Sequence, residues 1–426
     1  MSSTSVARRP SYAAVLRIPH ARRTFAAALL GRLSYGIVPL SAMLAVIRAS
    51  GSYAVAGTVM ALFGATSVFL SPARAALIDR YGPRRALVPM VTAYAALLGL
   101  LTVLVRRPGA VSPLVLGAVT AAAGACTPPL GPTMRAVWGR LAPDRALLQR
   151  AYSLDGVAEE LLFVSGPLLV GVLVGFAPPT AAIVFGTVLI VVGTAWFVTS
   201  PAVGAVRPVE ADTGQEVRPS REAGRSVLRG ILRPVVAAAG VGLTLGVVDL
   251  VVVAFAEQRH YGDDAVAWTL AALSAGSAVG GLVNGAVDWR IPAGVRLPLT
   301  AAGLGVALLG AGLAPGFGTL AVALGAAGFF VSPALTTAYL IADDAAAPQA
   351  RVRAGAWVNT GVNAGSTAGA AGAGLLVSGM PTALCFAAAG AAALLTALAT
   401  ARGTREPSAA PRTVREREGE EAVPAA

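Results

Sequence analysis

Five charged side chains interrupt otherwise apolar stretches of this sequence: Arg32, Asp155, Glu159, Glu160 and Asp249. On a helix, Asp155 and Glu159 sit one turn apart on a shared face, and Glu160 projects about 100° away. Two carboxylates side by side in a low dielectric resist ionising together, so the pair is suited to holding and releasing one proton. Arg32 is the base of the set. It is expected to pair with one Glu while the other points elsewhere; the bland alternative is a permanent structural pair, with Asp155 in interfacial water. Asp249 has no charged neighbour in its stretch, which suits it to binding a cation or carrying a proton. Its alternative is a protonated Asp hydrogen-bonded to a neighbouring helix. Tyr35, Asn284, Asn359 and Asn363 are polar residues that the same site would admit.

Other chemistries lack their parts. His20 and His260 lie near segment ends, and Cys126 and Cys385 lie in apolar runs. No metal cluster, disulfide framework or Cys/His nucleophile is therefore expected. The sequence has no lysine, and so no Gly-x-x-x-x-Gly-Lys-Ser/Thr phosphate loop. No cofactor and no enzymatic activity are expected.

The elements that hold the five charges follow from composition. The 426 residues are 56% hydrophobic and 13% charged, with a mean hydropathy of +0.71; too few charges for a water-exposed fold of this size. A membrane helix needs about 20 mostly apolar residues. Such runs lie near 25–47, 54–72, 86–105, 111–133, 152–176 and 180–199, then near 235–256, 265–287, 297–315, 317–341, 355–378 and 381–401. The expected organisation is an N-terminal segment over 1–24, a six-helix bundle over 25–199, a linker over 200–234, a second bundle over 235–401 and a disordered tail over 402–426. Arg32 and the Glu159–Glu160 pair each fall about eight residues into their spans. At 1.5 Å per residue they lie ~12 Å below the same face, so an ion pair between spans one and five is feasible.

With twelve spans both termini share one face, and 28 of the 33 Arg fall on that face against four on the other. Excess Arg stays cytoplasmic. Both termini are thus expected in the cytoplasm, and the net charge of +12 needs no nucleic-acid partner to explain it.

The halves also look duplicated. Residues 51–68 align without gaps to 262–279 with eight identities in eighteen positions, where chance gives roughly two. Gly124 and Pro129 match Gly328 and Pro333, and Arg150, Gly166 and Gly171 match Arg353, Gly369 and Gly374. A 6+6 parallel repeat suits a secondary transporter whose halves rock about a site near the midplane.

Over residues ~20–401 the chain resembles the major facilitator superfamily. The segment Ala75-Ala-Leu77-Ile-Asp79-Arg80-Tyr-Gly82-Pro83-Arg84-Arg85 is similar to the family's Gly-x-Leu-x-Asp-Arg-x-Gly-Arg-Arg, with Ala75 in place of Gly and Pro83 inserted. The resemblance implies that Asp79, Arg80, Gly82, Arg84 and Arg85 form a latch between the halves. Asp79 would face the start of span eleven, behind Arg351 and Arg353. Topology alone is the alternative explanation for the basic residues. Gly166-Pro167-Leu-Leu-Val-Gly171 is similar to an antiporter-associated pattern, with Leu162 and Val170 at two of its glycine positions. A kink with close packing explains it equally well. The Arg that many proton-coupled members carry within span four is missing; Arg135 follows at that span's end.

The resemblance implies an all-α membrane protein with twelve transmembrane helices, working as a monomer in the inner membrane. The expected activity is proton-coupled export of a small amphipathic molecule. Proton-coupled uptake is the alternative, and a non-transporting receptor a more distant one.

Overall fold

The computed structural model describes residues 11–106, 111–204, 221–377 and 379–401. The tail over 402–426, the first ten residues of the 1–24 segment and linker residues 205–220 lie outside them. The helices are α1 (Tyr12–Arg17), α2 (Ala21–Ser50), α3 (Tyr53–Phe69), α4 (Ser71–Tyr81), α5 (Pro83–Leu104), α6 (Pro113–Cys126), α7 (Leu130–Leu141), α8 (Arg145–Val174), α9 (Pro179–Val198) and α10 (Pro201–Gly204). The second half follows with α11 (Arg221–Gln258), α12 (Asp263–Ala286), α13 (Ala293–Ala311), α14 (Phe317–Ala345), α15 (Arg351–Val377) and α16 (Thr382–Ala401). Twelve spans result when α3 with α4, and α6 with α7, are each taken as one broken helix. The two sets of six form the expected 6+6 layout.

Helix starts follow local chemistry. Ser11, Ser52, Ser112 and Asp144 each accept a backbone N–H from the first turn of the helix they precede. Pro83, Pro113 and Pro179 stand at first helical positions, where a missing N–H costs nothing. One boundary differs from expectation. The interval 200–234 was expected to be linker, yet α11 begins at Arg221. Arg, Leu, Val and Ile recur there without a proline before Pro234, a composition that a helix accepts; polarity alone does not mark a loop.

The two breaks leave backbone carbonyls without helical partners, and the chain answers each one. Helix α3 meets α4 at a 41° bend. Pro72 has no N–H to offer Val68, and the Val68 carbonyl instead accepts from Thr360 Oγ1 of α15 at 3.1 Å. Between α6 and α7, Pro128 and Pro129 fail the carbonyls of Gly124 and Ala125. Arg74 Nη1 donates to both, at 2.6 and 3.0 Å, and Arg74 Nη2 donates to the Ser67 carbonyl beside the other bend. One buried guanidinium thus serves both breaks, in a setting where water cannot.

Close helix contacts rest on glycine. Carbonyls of α11 (Ala239, Leu243) press on Gly365 and Gly369 of α15, and carbonyls of α15 (Val362, Ser366) press on Gly242 and Gly246 of α11. In the first half, Cβ atoms at Gly36 and Gly166 would each meet the other's backbone, at 3.0 and 2.6 Å. Gly166 is therefore a point of α2–α8 contact. Nothing lies within 4 Å of a Cβ at Gly171, and α8 runs through Pro167 as one continuous helix.

The halves touch at the end that carries both described chain ends and most of the Arg. There, Tyr339, Val352, Ala356 and Val358 of the second half join the hydrophobic core of the first. The second half has a further core of its own around Leu304, Leu324 and Phe386.

Arg74→Met should leave the Ala125 and Ser67 carbonyls short of a donor at about 1–3 kcal/mol each, and the Gly124 carbonyl with only the Thr127 N–H. The expected result is a clear fall in the Tm of the purified protein; an unchanged Tm would contradict this account of the breaks.

Candidate functional site

Arg32 lies in the first half of α2 and faces the first half of α8. Its Nη1 donates to Asp155 Oδ1 at 2.7 Å, and its Nη2 lies 3.1 Å from Glu159 Oε1. Arg32 thus reaches Glu159 and also Asp155. Asp155 is fully buried, against the alternative that put it in interfacial water. Arg135, expected at the end of span four, lies well inside the bundle, because that span continues past Pro128–Pro129 to Leu141. Its Nε approaches Asp155 Oδ2 at 3.0 Å and its Nη2 donates to Glu159 Oε2.

The result is a closed ring of two guanidiniums and two carboxylates. Its formal charge is zero, and each acid is shared by both bases. Asp155 and Glu159 therefore do not stand as a bare carboxylate pair. Arg32, Asp155 and Arg135 are almost wholly buried, while Glu159 is 30% exposed. From the second half, the Tyr339 ring stacks under Arg135 at 3.9 Å. Tyr152 of α8 donates its hydroxyl to the Arg135 carbonyl at 3.2 Å.

Above the ring a cavity of about 370 Å³ lies between the halves, within the size range of small-molecule sites. Arg135, Glu159, Glu160 and Phe163 line it from the first half; Asp249, Ser277, Tyr339, Asn359 and Asn363 line it from the second. Glu160 turns away from the ring, and its Oε1 accepts from Ser277 Oγ of α12 at 2.9 Å. Asp249 has no ion-pair or hydrogen-bond partner among the described residues. Two acids outside the ring therefore face one cavity from opposite halves. Asn359 and Asn363 line it as the sequence allowed. Tyr35 and Asn284 do not. Tyr35 donates to the Pro128 carbonyl at the α6–α7 break, and Asn284 is buried between the halves near Ser153.

Below the ring the halves are bolted together. Asp79 Oδ2 accepts the backbone N–H of Arg353 at 3.0 Å, so the carboxylate caps the start of α15 from the other half. The repeat supplies a second bolt, for Arg150 of α8 donates to Asp288 at the end of α12 at 2.6 Å. Arg351 donates to the Gly139 carbonyl at 3.0 Å, and Gln149 donates to the Asn284 carbonyl at 2.7 Å. Helix α1 adds Tyr12, whose hydroxyl donates to the Leu282 carbonyl at 2.5 Å. Burial pushes that phenol up to about 12, against the lowering pull of Arg150, so it keeps its proton at neutral pH.

The remaining motif residues hold the first half together. Gly82 has φ of +81°, which favours glycine, and lets α4 turn into α5. Arg84 donates to the Val198 carbonyl at 2.7 Å, tying α5 to the end of α9. Arg80 lies 5.2 Å from its neighbour Tyr81's ring, and Arg85 is exposed. Toward the opposite face the polar contacts between halves end at Glu160–Ser277. Beyond it Leu161, Leu168 and Val172 of α8 are exposed. The structure is closed at the arginine-rich face and has its cavity above that closure.

Twelve helices in two similar bundles, joined at one face below a central cavity, are the layout of a secondary transporter. The sequence matches the Major Facilitator Superfamily over residues 24–316 and again over 234–426, and the chain belongs to that superfamily. Its fold is similar to that of the human organic anion transporter MFSD10 (TETRAN), with TM-score 0.69, 15% identity, and 90% of this chain and 99% of that one covered. It is also similar to a bacterial homologue of the iron transporter ferroportin in an outward-facing state, with TM-score 0.67, 15% identity and coverage of 89% and 97%. The E. coli fucose:proton symporter FucP has TM-score 0.65, 14% identity and coverage of 92% and 99%. Comparison with curated proteins gives no match.

Removing one base from the ring uncovers a buried charge, at about 3–5 kcal/mol. Arg32→Met should therefore lower Tm strongly, and adding Asp155→Asn should restore part of the loss. Equal Tm values for the single and double variants would show that the ring does not act as a unit.

Proposed function

We propose that this protein exports a small amphipathic molecule across the cytoplasmic membrane in exchange for protons. The observation that carries the reading is the pair of cavity acids outside the ring. Asp155 and Glu159 are each held by two guanidiniums, so exchanging a proton there means breaking the ring. Among the described residues, Glu160 has only the Ser277 hydroxyl and Asp249 has no partner. Either can take a proton from the open side and lose it when the cavity turns to the other. A proton crossing 100 mV supplies about 2.3 kcal/mol. An amphipathic substrate suits walls that combine Phe163, Leu245 and Leu335 with these acids. Export also draws on the Gly166-Pro167 resemblance and on the orientation that the Arg bias implies, with the closed face and both termini in the cytoplasm.

The same cavity would serve proton-coupled uptake, and the direction of flux separates the two readings. In an efflux-deficient host, expressing cells should accumulate less of a lipophilic dye or antibiotic. A protonophore should abolish the difference. Glu160→Gln and Asp249→Asn should each do so too, with membrane insertion unchanged. Higher accumulation in expressing cells would replace export by uptake. Full export by the Glu160→Gln, Asp249→Asn double variant would end the proposed role of these acids.

Asp79→Asn tests the latch. A carboxylate at a helix N-terminus is worth about 0.3–1 kcal/mol, so the substitution should change transport rate by roughly two- to fivefold while the protein inserts normally. An unchanged rate would assign Asp79 to packing alone.

A further inference from the structure

At the arginine-rich face a second pocket, of about 680 Å³, lies between the start of α8 and the turn leading into α13. It is separate from the central cavity. The first half contributes Arg145 and Gln149, and the second contributes Asp288, Trp289, Arg290 and Arg296. Two of the four bases around it are spent on acids: Arg150 holds Asp288 at 2.6 Å, and Arg145 holds Asp344 at 2.6 Å. The charges of Arg290 and Arg296 remain over.

Arg296 is built into the wall. It is 5% exposed, its Nη1 donates to Gln149 Oε1 at 2.9 Å, and its Cζ lies 5.2 Å from the Trp289 ring. Its Nε is buried with no hydrogen-bond partner, a costly arrangement for a guanidinium. Helix α13 starts beside it at Ala293, behind Pro292, with no side chain capping its first N–H groups. A buried guanidinium whose Nε has no partner among the described residues, an exposed one and the start of a 19-residue helix converge on one pocket. Together they suit a phosphate, which accepts several N–H bonds at once.

The source of that phosphate is indicated by the neighbouring surface. One residue before Arg296, Val295 begins an apolar groove of about 510 Å³ between α13 and α16, walled by Leu299, Leu394 and Leu398. Val295 and Leu299 are 42% and 57% exposed, and the groove's lining side chains are apolar. A cationic pocket at a membrane face beside an apolar groove has the polarity of a lipid, headgroup and chain.

We propose that this pocket binds an anionic phospholipid, its phosphate on Arg290, Arg296 and the α13 N-terminus and an acyl chain in the α13–α16 groove. A zwitterionic headgroup carries an ammonium that the surplus Arg charge disfavours. Both halves line the pocket, so a bound lipid braces the closure at this face. It thereby favours the conformation seen here by mass action, as any ligand selective for one state does.

Native mass spectrometry and Tm of the purified full chain test this without any transport assay. With phosphatidylglycerol added, wild type should retain a lipid adduct and gain Tm; with phosphatidylcholine it should do neither. Arg290→Gln, on an exposed side chain, should cut phosphatidylglycerol retention about fivefold, with a similar further loss on adding Arg296→Gln. The Arg290→Gln protein should match wild-type Tm when lipid-free, which separates binding from folding. Equal retention by wild type and the double variant would overturn the site. Equal stabilisation by phosphatidylcholine would remove the charge requirement and overturn the proposal. A Tm gain from inorganic phosphate equal to that from phosphatidylglycerol would overturn the lipid as occupant.

Discussion

Charge inside a bilayer has to be neutralised by something held in place, and in this protein that requirement organises the first bundle. Arg32, Arg135, Asp155 and Glu159 come from three helices and satisfy one another within a few ångströms. No single pair would do. Either carboxylate alone would leave a guanidinium uncovered, and either base alone would leave an acid uncovered. The ring thus fixes how α2, α7 and α8 sit together, and it explains why α7 must turn inward at the Pro128–Pro129 break to deliver Arg135. It also divides the acids. Those in the ring are structural counter-charges, and those left over, Glu160 and Asp249, face the cavity.

The backbone obeys the same rule as the side chains. Prolines that bend the spans uncover carbonyls, and each uncovered carbonyl described here has a donor assigned to it. Arg74 covers three, and Thr360 covers one across the boundary between halves. The Thr360–Val68 bond means that a bend in one half is completed by the other. A rocking movement that parts α4 from α15 must therefore give up that bond together with the Asp79–Arg353 contact. These losses are coupled by geometry, as expected of an interface with discrete arrangements rather than a continuous range.

The two bolts at the arginine-rich face show what duplication contributes. Arg150 and Arg353 occupy equivalent places at the starts of α8 and α15, and each meets an acid from the opposite half. They do so differently: Arg150 uses its guanidinium on Asp288, and Arg353 uses its backbone N–H on Asp79. The central site has lost the symmetry altogether. Asp155 and Glu159 stand opposite Val358 and Val362 in the repeat and Glu160 opposite Asn363, so the ring belongs to one bundle, and the second half brings Asp249 and an aromatic face, Tyr339, to the site.

Span number, the duplication, the Arg bias and the presence of Arg32 and the α8 acids in apolar stretches were legible in the sequence, because each depends on local composition or on counting; buried Arg74 and Arg296 were not. The approach of Arg32 to Glu159 was legible too, since equal depth in adjacent helices follows from rise per residue. The start of α11 at Arg221 was not, because a polar helix and a polar loop share a composition. Arg135 was hidden for a different reason. An Arg near the end of a hydrophobic run reads as a topology signal, and only the continuation of that span as α7 beyond the Pro128–Pro129 break carries the side chain into the core. Asp155 likewise had its partners decided by tertiary structure, as did the cavity's separation of free acids from paired ones. The sequence sets which charges enter the membrane; which of them meet is set by rotation and packing of helices remote in the chain, and no local pattern encodes that.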